Sequence, residues 1–444
     1  MNTAIANIFK RNTNIENTIT LYLNYMLVAY AFLIPIDSHA RSSLLSVMLI
    51  LFIYRGNVWI YLKESLSNKV VQAFLLLYIL WIVGLLYTEN FDNARSGLYK
   101  SKYLLLPLFF LTFLDLKFSF KIINAFIFGM FFSEIISYAI SFHLLPNKFY
   151  LFDFKVIDTI YSDPTPFFNH INHSIGLAVA VSLLLYQFLN TKQNLFIKIL
   201  GLLFMISASI NMSFIGGRTG YVVYIILIIL TFLLSAKKNI IKDFIISIVL
   251  VVSISVLAYN TSSMINKRVN QTVKSIEAAY NNEKFSTSVG IRIGLVKYSL
   301  QTIKENLLFG VGTGDALDEV KKRTPEKYAG MLRMSELHNI YIQTMLQFGI
   351  VGLIVLFYLF YTVLVYRYNE KQKRDISFLL TVCVMFVMIP GSFYGHFVLP
   401  MYATLISAMI NTKDRLIKYE NINSKEIFIY IALVISFYLI AVFR

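Results

Sequence analysis

The chain is poor in cysteine, in charge and in acidic motifs. Cys383 is the single cysteine among 444 residues and lies inside an apolar run, which excludes an intrachain disulfide and a thiolate metal cluster. No Asp-x-Asp pair occurs, so one common way of holding a divalent cation is missing. Charged residues make up 14% of the chain, against about a quarter in soluble proteins. Hydrophobic residues reach 57% and the mean hydropathy is +0.65, so the solvent for most of the chain is lipid. With two Trp against 38 Phe and 29 Tyr, an interfacial aromatic belt has to be built mainly from tyrosine.

The net charge of +16 does not point to nucleic acid, because the basic residues are scattered between apolar runs instead of gathered on one solvated surface. Apolar runs near the length that crosses about 30 Å of hydrocarbon fall at about 20–36, 42–54, 70–87, 103–115, 122–142, 172–190, 197–215, 219–235, 240–258, 339–366, 376–391, 396–411 and 427–443. None shows two-residue alternation, so they predict helices and not a transmembrane barrel. The expected fold is an all-α, polytopic bundle of about 12–13 transmembrane helices forming a single membrane domain over 1–444. No cleavable signal precedes the first apolar segment, which is expected to remain as an anchor.

Placing the N-terminus in the cytoplasm puts 20 Lys and Arg in cytoplasmic segments and 8 in the short outward ones, with 12 in the long hydrophilic loop at 259–338. Long loops are exempt from the positive-inside rule, so the short-loop count orients the chain and turns 259–338 outward. A shorter outward loop spans 143–171. No internal repeat or low-complexity tail divides the chain.

Several outward residues are candidates for chemistry. Arg218 lies in Gly216-Gly217-Arg218-Thr219-Gly220 between two apolar runs. There it can combine with free N–H groups at a helix start and with backbone opened by Gly217 to hold a phosphate or pyrophosphate. Snorkelling to headgroups is the alternative. Arg292 lies in Ser288-Val289-Gly290-Ile291-Arg292, which opens an amphipathic stretch carrying Ile291, Leu295, Tyr298 and Ile303 and expected to lie along the membrane face. The glycine-rich run Gly310-Val311-Gly312-Thr313-Gly314-Asp315 offers Gly312 and Gly314 as cleft-lining positions. It follows a helix and not a strand, so a structural turn is the better reading than a nucleotide site. His338 and Asn339 stand where the loop enters an apolar helix, and a near-neutral imidazole there can take a proton from a hydroxyl. An interfacial, hydrogen-bonded histidine is the alternative.

Weaker signals are His170 and His173, three residues apart, and the basic cluster Arg95, Lys100 and Lys102. The histidine spacing suits a metal, but no carboxylate follows in helical register, which favours hydrogen bonding at a helix start. The cluster suits a glycan phosphate or anionic lipid. The apolar runs carry little charge, Glu134 being the exception.

Taken in order, Gly217-Arg218-Thr219-Gly220, Gly290 to Arg292, Gly310 to Asp315 and Leu337-His338-Asn339-Ile340-Tyr341, followed by Phe348-Gly349-Ile350-Val351-Gly352-Leu353, resemble the bacterial O-antigen ligase and polymerase family over about 165–365. That resemblance implies a multi-pass inner-membrane enzyme with a periplasmic site. Such an enzyme moves a glycan from undecaprenyl diphosphate to an acceptor sugar, either on lipid A-core (ligase) or on a second lipid-linked repeat (polymerase). By motif, Arg218 and Arg292 bind the pyrophosphate and His338 is the catalytic base. Gly217, Gly312, Gly314, Asn339, Arg95, Lys102 and His173 are the further candidates expected to line the substrate. Neither a cofactor nor a metal is implied, and the partners are the lipid-linked donor, the acceptor and membrane lipids. The rival from another class is a lipid or glycan flippase, which would place ionisable residues near the midplane of two related halves.

Overall fold

The computed structural model describes residues 13–151, 154–236 and 240–410. The expected helix at 427–443 and the counted cations at 10, 11, 237, 238, 413, 415, 418, 425 and 444 lie outside the described residues. The architecture is an all-α membrane bundle. Its helices are α1 (Thr13–Leu33), α2 (Ser38–Arg55), α3 (Val58–Leu66), α4 (Lys69–Val83), α5 (Phe91–Ser101), α6 (Leu106–Phe110), α7 (Ser119–Ser141), α8 (His170–Asn190), α9 (Leu195–Phe214), α10 (Arg218–Ser235) and α11 (Ile240–Thr261). They continue with α12 (Ser263–Asn282), α13 (Ser288–Glu305), α14 (Ala316–Lys322), α15 (Ala329–Leu332), α16 (Ile340–Leu364), α17 (Lys371–Val387) and α18 (Val398–Met409). A small antiparallel hairpin, β1 (Lys148–Leu151) and β2 (Phe154–Asp158), occupies the shorter loop.

Among the described residues, seven helices are long and apolar enough to cross a membrane. The number is eight if the pair α2 and α3, bent by 114°, forms one span. The bend sits at Gly56 and Asn57, both at positive φ, which a right-handed helix cannot continue through, and Asn57 lies in the αL region. The expected runs at 376–391 and 396–411 form the shorter helices α17 and α18, and every residue of α18 is buried.

The run at 103–115 departs from expectation. It is a 3-10 turn, the five-residue α6 with Pro107 in its first turn, and a further turn. Irregular backbone is tolerated at membrane depth only where protein satisfies its polar groups, and here it does. Ser65 Oγ donates to the Leu108 carbonyl at 2.7 Å, Arg55 Nη2 to Thr112 at 3.0 Å, and Asn24 Nδ2 to Phe113 at 2.8 Å. Glu134 is buried inside α7 with neither carboxylate oxygen hydrogen-bonded.

The segment at 259–338 is a helical cap and not an open loop. Ser262 and Thr287 cap α12 and α13 by accepting from the N–H groups of Ile265 and Gly290. Phe285, Leu295, Ile303, Val320, Met331 and Leu337 form a second, smaller core. Leu295 and Ile303 therefore point into the cap, which corrects the expectation that α13 lays its apolar face along the membrane.

Cap and bundle meet at a break in α16. Gly349 has φ 62° and ψ −155°, so the helix opens and frees the groups on either side of it. The Leu346 and Gln347 carbonyls accept from Val311 and Gly312 at 2.8 and 3.0 Å, and the Ile350 N–H donates to Leu307 at 2.8 Å. The glycine-rich run is the strip that fills this gap. Gly310 has φ +68°, and a Cβ there would lie 2.4 Å from the Gln347 backbone. Gly310→Val is therefore expected to destabilise the cap by more than the roughly 1–2 kcal/mol of an αL penalty, measured as a lower thermal midpoint in detergent.

Candidate functional site

Elements from distant parts of the chain converge at the end of the bundle that carries the cap. Arg218 opens α10, and its Nη1 donates to Thr272 Oγ1 of α12 at 3.0 Å. One helical turn before Thr272, Arg268 presents its guanidinium to the same place, since a Cβ at Gly216 would fall 2.5 Å from Arg268 Nη2. Arg218 lies within reach of the Arg268 charge, and Arg292 within reach of the Arg218 charge. Three guanidinium groups thus share one region. Nε of Arg268 and Nε of Arg292 are buried and without a hydrogen-bond partner.

Burial, followed by the Arg218 charge, holds Arg292 below the ordinary guanidinium value. It remains a cation at pH 7. A cluster of cations with unpaired donors is an unsatisfied arrangement, and an anion bearing several oxygens is what completes it. Asp163, an acid within reach of the Arg268 charge, is already engaged. Its Oδ1 accepts from the Gly216 N–H at 3.1 Å and its Oδ2 faces His170 Nδ1 at 3.1 Å. Bonds from His170 and Gly216, with the charges of His170 and Arg268, outweigh burial and hold this carboxyl below its usual range. Asp163 therefore ties the Gly216–Arg218 turn in place as an anion.

His338 adjoins Arg292. It is half-buried, has φ +53° and makes no side-chain hydrogen bond to the described residues. Burial first, and the Arg292 charge second, push its pKa below 6.5, while Glu336 acts in the opposite sense. The imidazole is thus neutral near pH 7 and free to accept a proton. Glu336→Gln removes the opposing contribution, so the acid limb of any His338-dependent activity is expected to move to lower pH. A pH–rate profile of the variant beside the wild type measures this.

The other sequence-selected residues are engaged mainly with protein neighbours. Gly217 does not open the backbone to a ligand, because a Cβ there would lie 2.1 Å from Ser174 Oγ and the space belongs to α8. Gly312 and Gly314 pack in the same way against Thr88 and Asn90, and Asp315 accepts from the N–H groups of Glu89 and Asn90. Gly314 also borders a cavity beneath the cap. Asn339 caps α16 by accepting from Ile342 N–H at 3.1 Å.

His173 is 3% exposed and faces Ser133 Oγ and Asn211 Oδ1 inside the bundle. His170 instead takes a carboxylate from the preceding loop, where the sequence offered none in helical register. The basic cluster also divides. Arg95 is exposed on α5, Lys100 pairs with Glu336 at 2.6 Å, and Lys102 Nζ sits 3.7 Å from the Tyr99 ring centroid.

Sequence reasoning missed Arg268, one of twelve cations in the cap segment. Two signals marked it: Gly216 beside Arg218, and the four-residue spacing that puts Arg268 and Thr272 on one helical face.

Residues 202–357 match a family model described as O-antigen ligase. The matched segment contains Arg218, Arg268, Arg292 and His338 and runs from α9 into α16. The chain is also similar to an uncharacterized protein of Haemophilus influenzae, with 28% identity over 236 residues. That alignment covers 50% of this chain and 57% of the relative, so the chain spans little more than half of the relative's length.

Proposed function

We propose that the chain, which matches a family model described as O-antigen ligase over residues 202–357, is a member of the O-antigen ligase and polymerase family and transfers a glycan from undecaprenyl diphosphate to an acceptor sugar at the periplasmic face of the bacterial inner membrane. The observation that carries this reading is the group of three guanidiniums beside a histidine of depressed pKa, with two buried Nε atoms unpaired. A lipid-linked diphosphate presents the oxygens such a group needs, and its lipid tail suits a site at the end of a membrane bundle.

In the proposed reaction an acceptor hydroxyl oxygen attacks the anomeric carbon. The new C–O bond forms as the bond from that carbon to the diphosphate oxygen breaks, and the hydroxyl proton passes to His338. The leaving undecaprenyl diphosphate gathers negative charge, which Arg218 and Arg292 neutralise with Arg268 beside them. Fixed cations aimed at the leaving group supply stabilisation that water could give only after reorganising. A single displacement inverts the anomeric centre.

The acceptor decides between the two branches of the family, and we favour lipid A-core, hence a ligase. Lipopolysaccharide gels of a deletion strain test this. Loss of every long-chain band with accumulation of lipid-linked polymer is the expected result, core bearing a single repeat assigns a polymerase, and an unchanged ladder refutes both. Arg218, Arg268, Arg292 and His338 gather at the cap end of the bundle, and Glu134 is the buried acid inside α7; that distribution ranks flipping below transfer.

A further inference from the structure

A cavity of about 110 Å³ lies under the cap between α5, the Thr313–Gly314 turn, α16 and the segment at 392–394. Its wall includes Ser335, Glu336 and Leu337, the three residues that lead into His338. Three side chains that line it are buried and carry polar atoms with no hydrogen-bond partner: Nε1 of Trp81, Oε1 of Gln347 and the hydroxyl of Tyr394. The Tyr394 hydroxyl is near Trp81 and Thr344, but neither contact has the geometry of a hydrogen bond. Leaving such atoms unpaired costs about 1–3 kcal/mol each, so the cavity is built for an occupant that both donates and accepts.

Charge narrows its chemistry. Lys100 is the cation in the wall, and Glu336 cancels it at 2.6 Å. A phosphate would find no free positive charge, and it has no donor for Gln347 Oε1. A sugar ring has hydroxyls that serve both roles and C–H faces that pack on aromatics. Leu317 in the wall contributes to that surface, and the buried Trp81 and Tyr394, edge to face at 4.7 Å, back it. Ser96 and Asn93, exposed on α5, form the open side. The cavity is also far larger than the roughly 10–15 Å³ needed for one water.

We propose that this cavity is the subsite for a neutral sugar ring of the acceptor glycan, set beside His338 so that a neighbouring hydroxyl reaches the base. The assignment rests on the transfer function proposed above and divides the face in two: an anionic side at the arginines and a neutral side at Trp81 and Gln347.

The two tryptophans make a direct test possible, since Trp59 is exposed on α3, away from the cavity. In full-length protein carrying Trp59→Phe, Trp81 is the sole indole. Titration with a panel of hexoses and N-acetylhexosamines is expected to shift its emission saturably for at least one sugar and not for glycerol. Gln347→Leu, checked by circular dichroism for retained helix, should weaken that binding about tenfold. No response to any sugar, or an equal response to glycerol, overturns the assignment. Altered glycans in the deletion strain with a silent Trp81 remove the subsite and keep the transfer function, whereas a saturable response with unchanged glycans keeps the subsite and removes the function.

Discussion

Arg292→Ala is expected to reduce glycan transfer by about 10²- to 10³-fold, the usual effect of removing one preorganised charge donor from a developing anion. The size follows from its surroundings. Arg292 has a buried, unpartnered Nε and lies within reach of both Arg218 and His338. Its removal takes a cation from the leaving group and a neighbouring charge from the base together. Arg292→Lys restores a point charge but not the planar fork, so it should recover only part of the rate. Transfer measured in membranes with protein levels matched by immunoblot separates this from failed insertion. The folded bundle should be unharmed, because relieving repulsion with Arg218 removes an unfavourable contact.

His338→Gly is expected to lower transfer by about 10²- to 10⁴-fold, the range for a lost general base, while leaving the protein at least as stable as the wild type. A histidine at φ +53° occupies a region that costs an L residue about 1–2 kcal/mol and glycine little. That strain is consistent with a side chain held for its chemistry. A thermal midpoint in detergent that is unchanged or raised, beside lost transfer, is the expected pair of results. A purely structural histidine would instead lose both.

The pH dependence follows from the same residue. With its pKa held below 6.5 by burial and Arg292, His338 binds protons more weakly in the folded chain than in the unfolded one. Protonation below pH 6.5 therefore favours unfolding, and the contribution to stability is lost as pH falls through the depressed value. Transfer should fall over the same acid window while staying level at neutral pH.

Much of this was legible in the residues because lipid permits few solutions. The long apolar runs became α4, α7, α8, α9, α10, α11 and α16 because a backbone in hydrocarbon must pair with itself. Where the run at 103–115 failed to form one helix, Asn24, Arg55 and Ser65 from other elements supplied the missing donors, and no local pattern announces such partners. Likewise the break at Gly349 becomes intelligible only once Val311 and Gly312 arrive from the cap. Arg218, Arg292 and His338 stood out as polar residues beside apolar runs or within family-like motifs. Arg268 did not, since its significance depends on a helix laying it against Gly216. The glycines all meet protein neighbours, Ser174 at Gly217, Thr88 at Gly312 and Asn90 at Gly314, and of these Gly314 also borders the cavity under the cap.

The most direct measurement is donor turnover by purified protein in proteoliposomes holding an undecaprenyl-diphosphate glycan and an acceptor glycolipid. The wild type is predicted to release undecaprenyl diphosphate in step with glycosylated acceptor, and a protein carrying Arg218→Ala, Arg292→Ala and His338→Ala to release neither. Equal release by that triple variant, or movement of the intact lipid-linked glycan across the bilayer without cleavage of its diphosphate bond, would contradict the account.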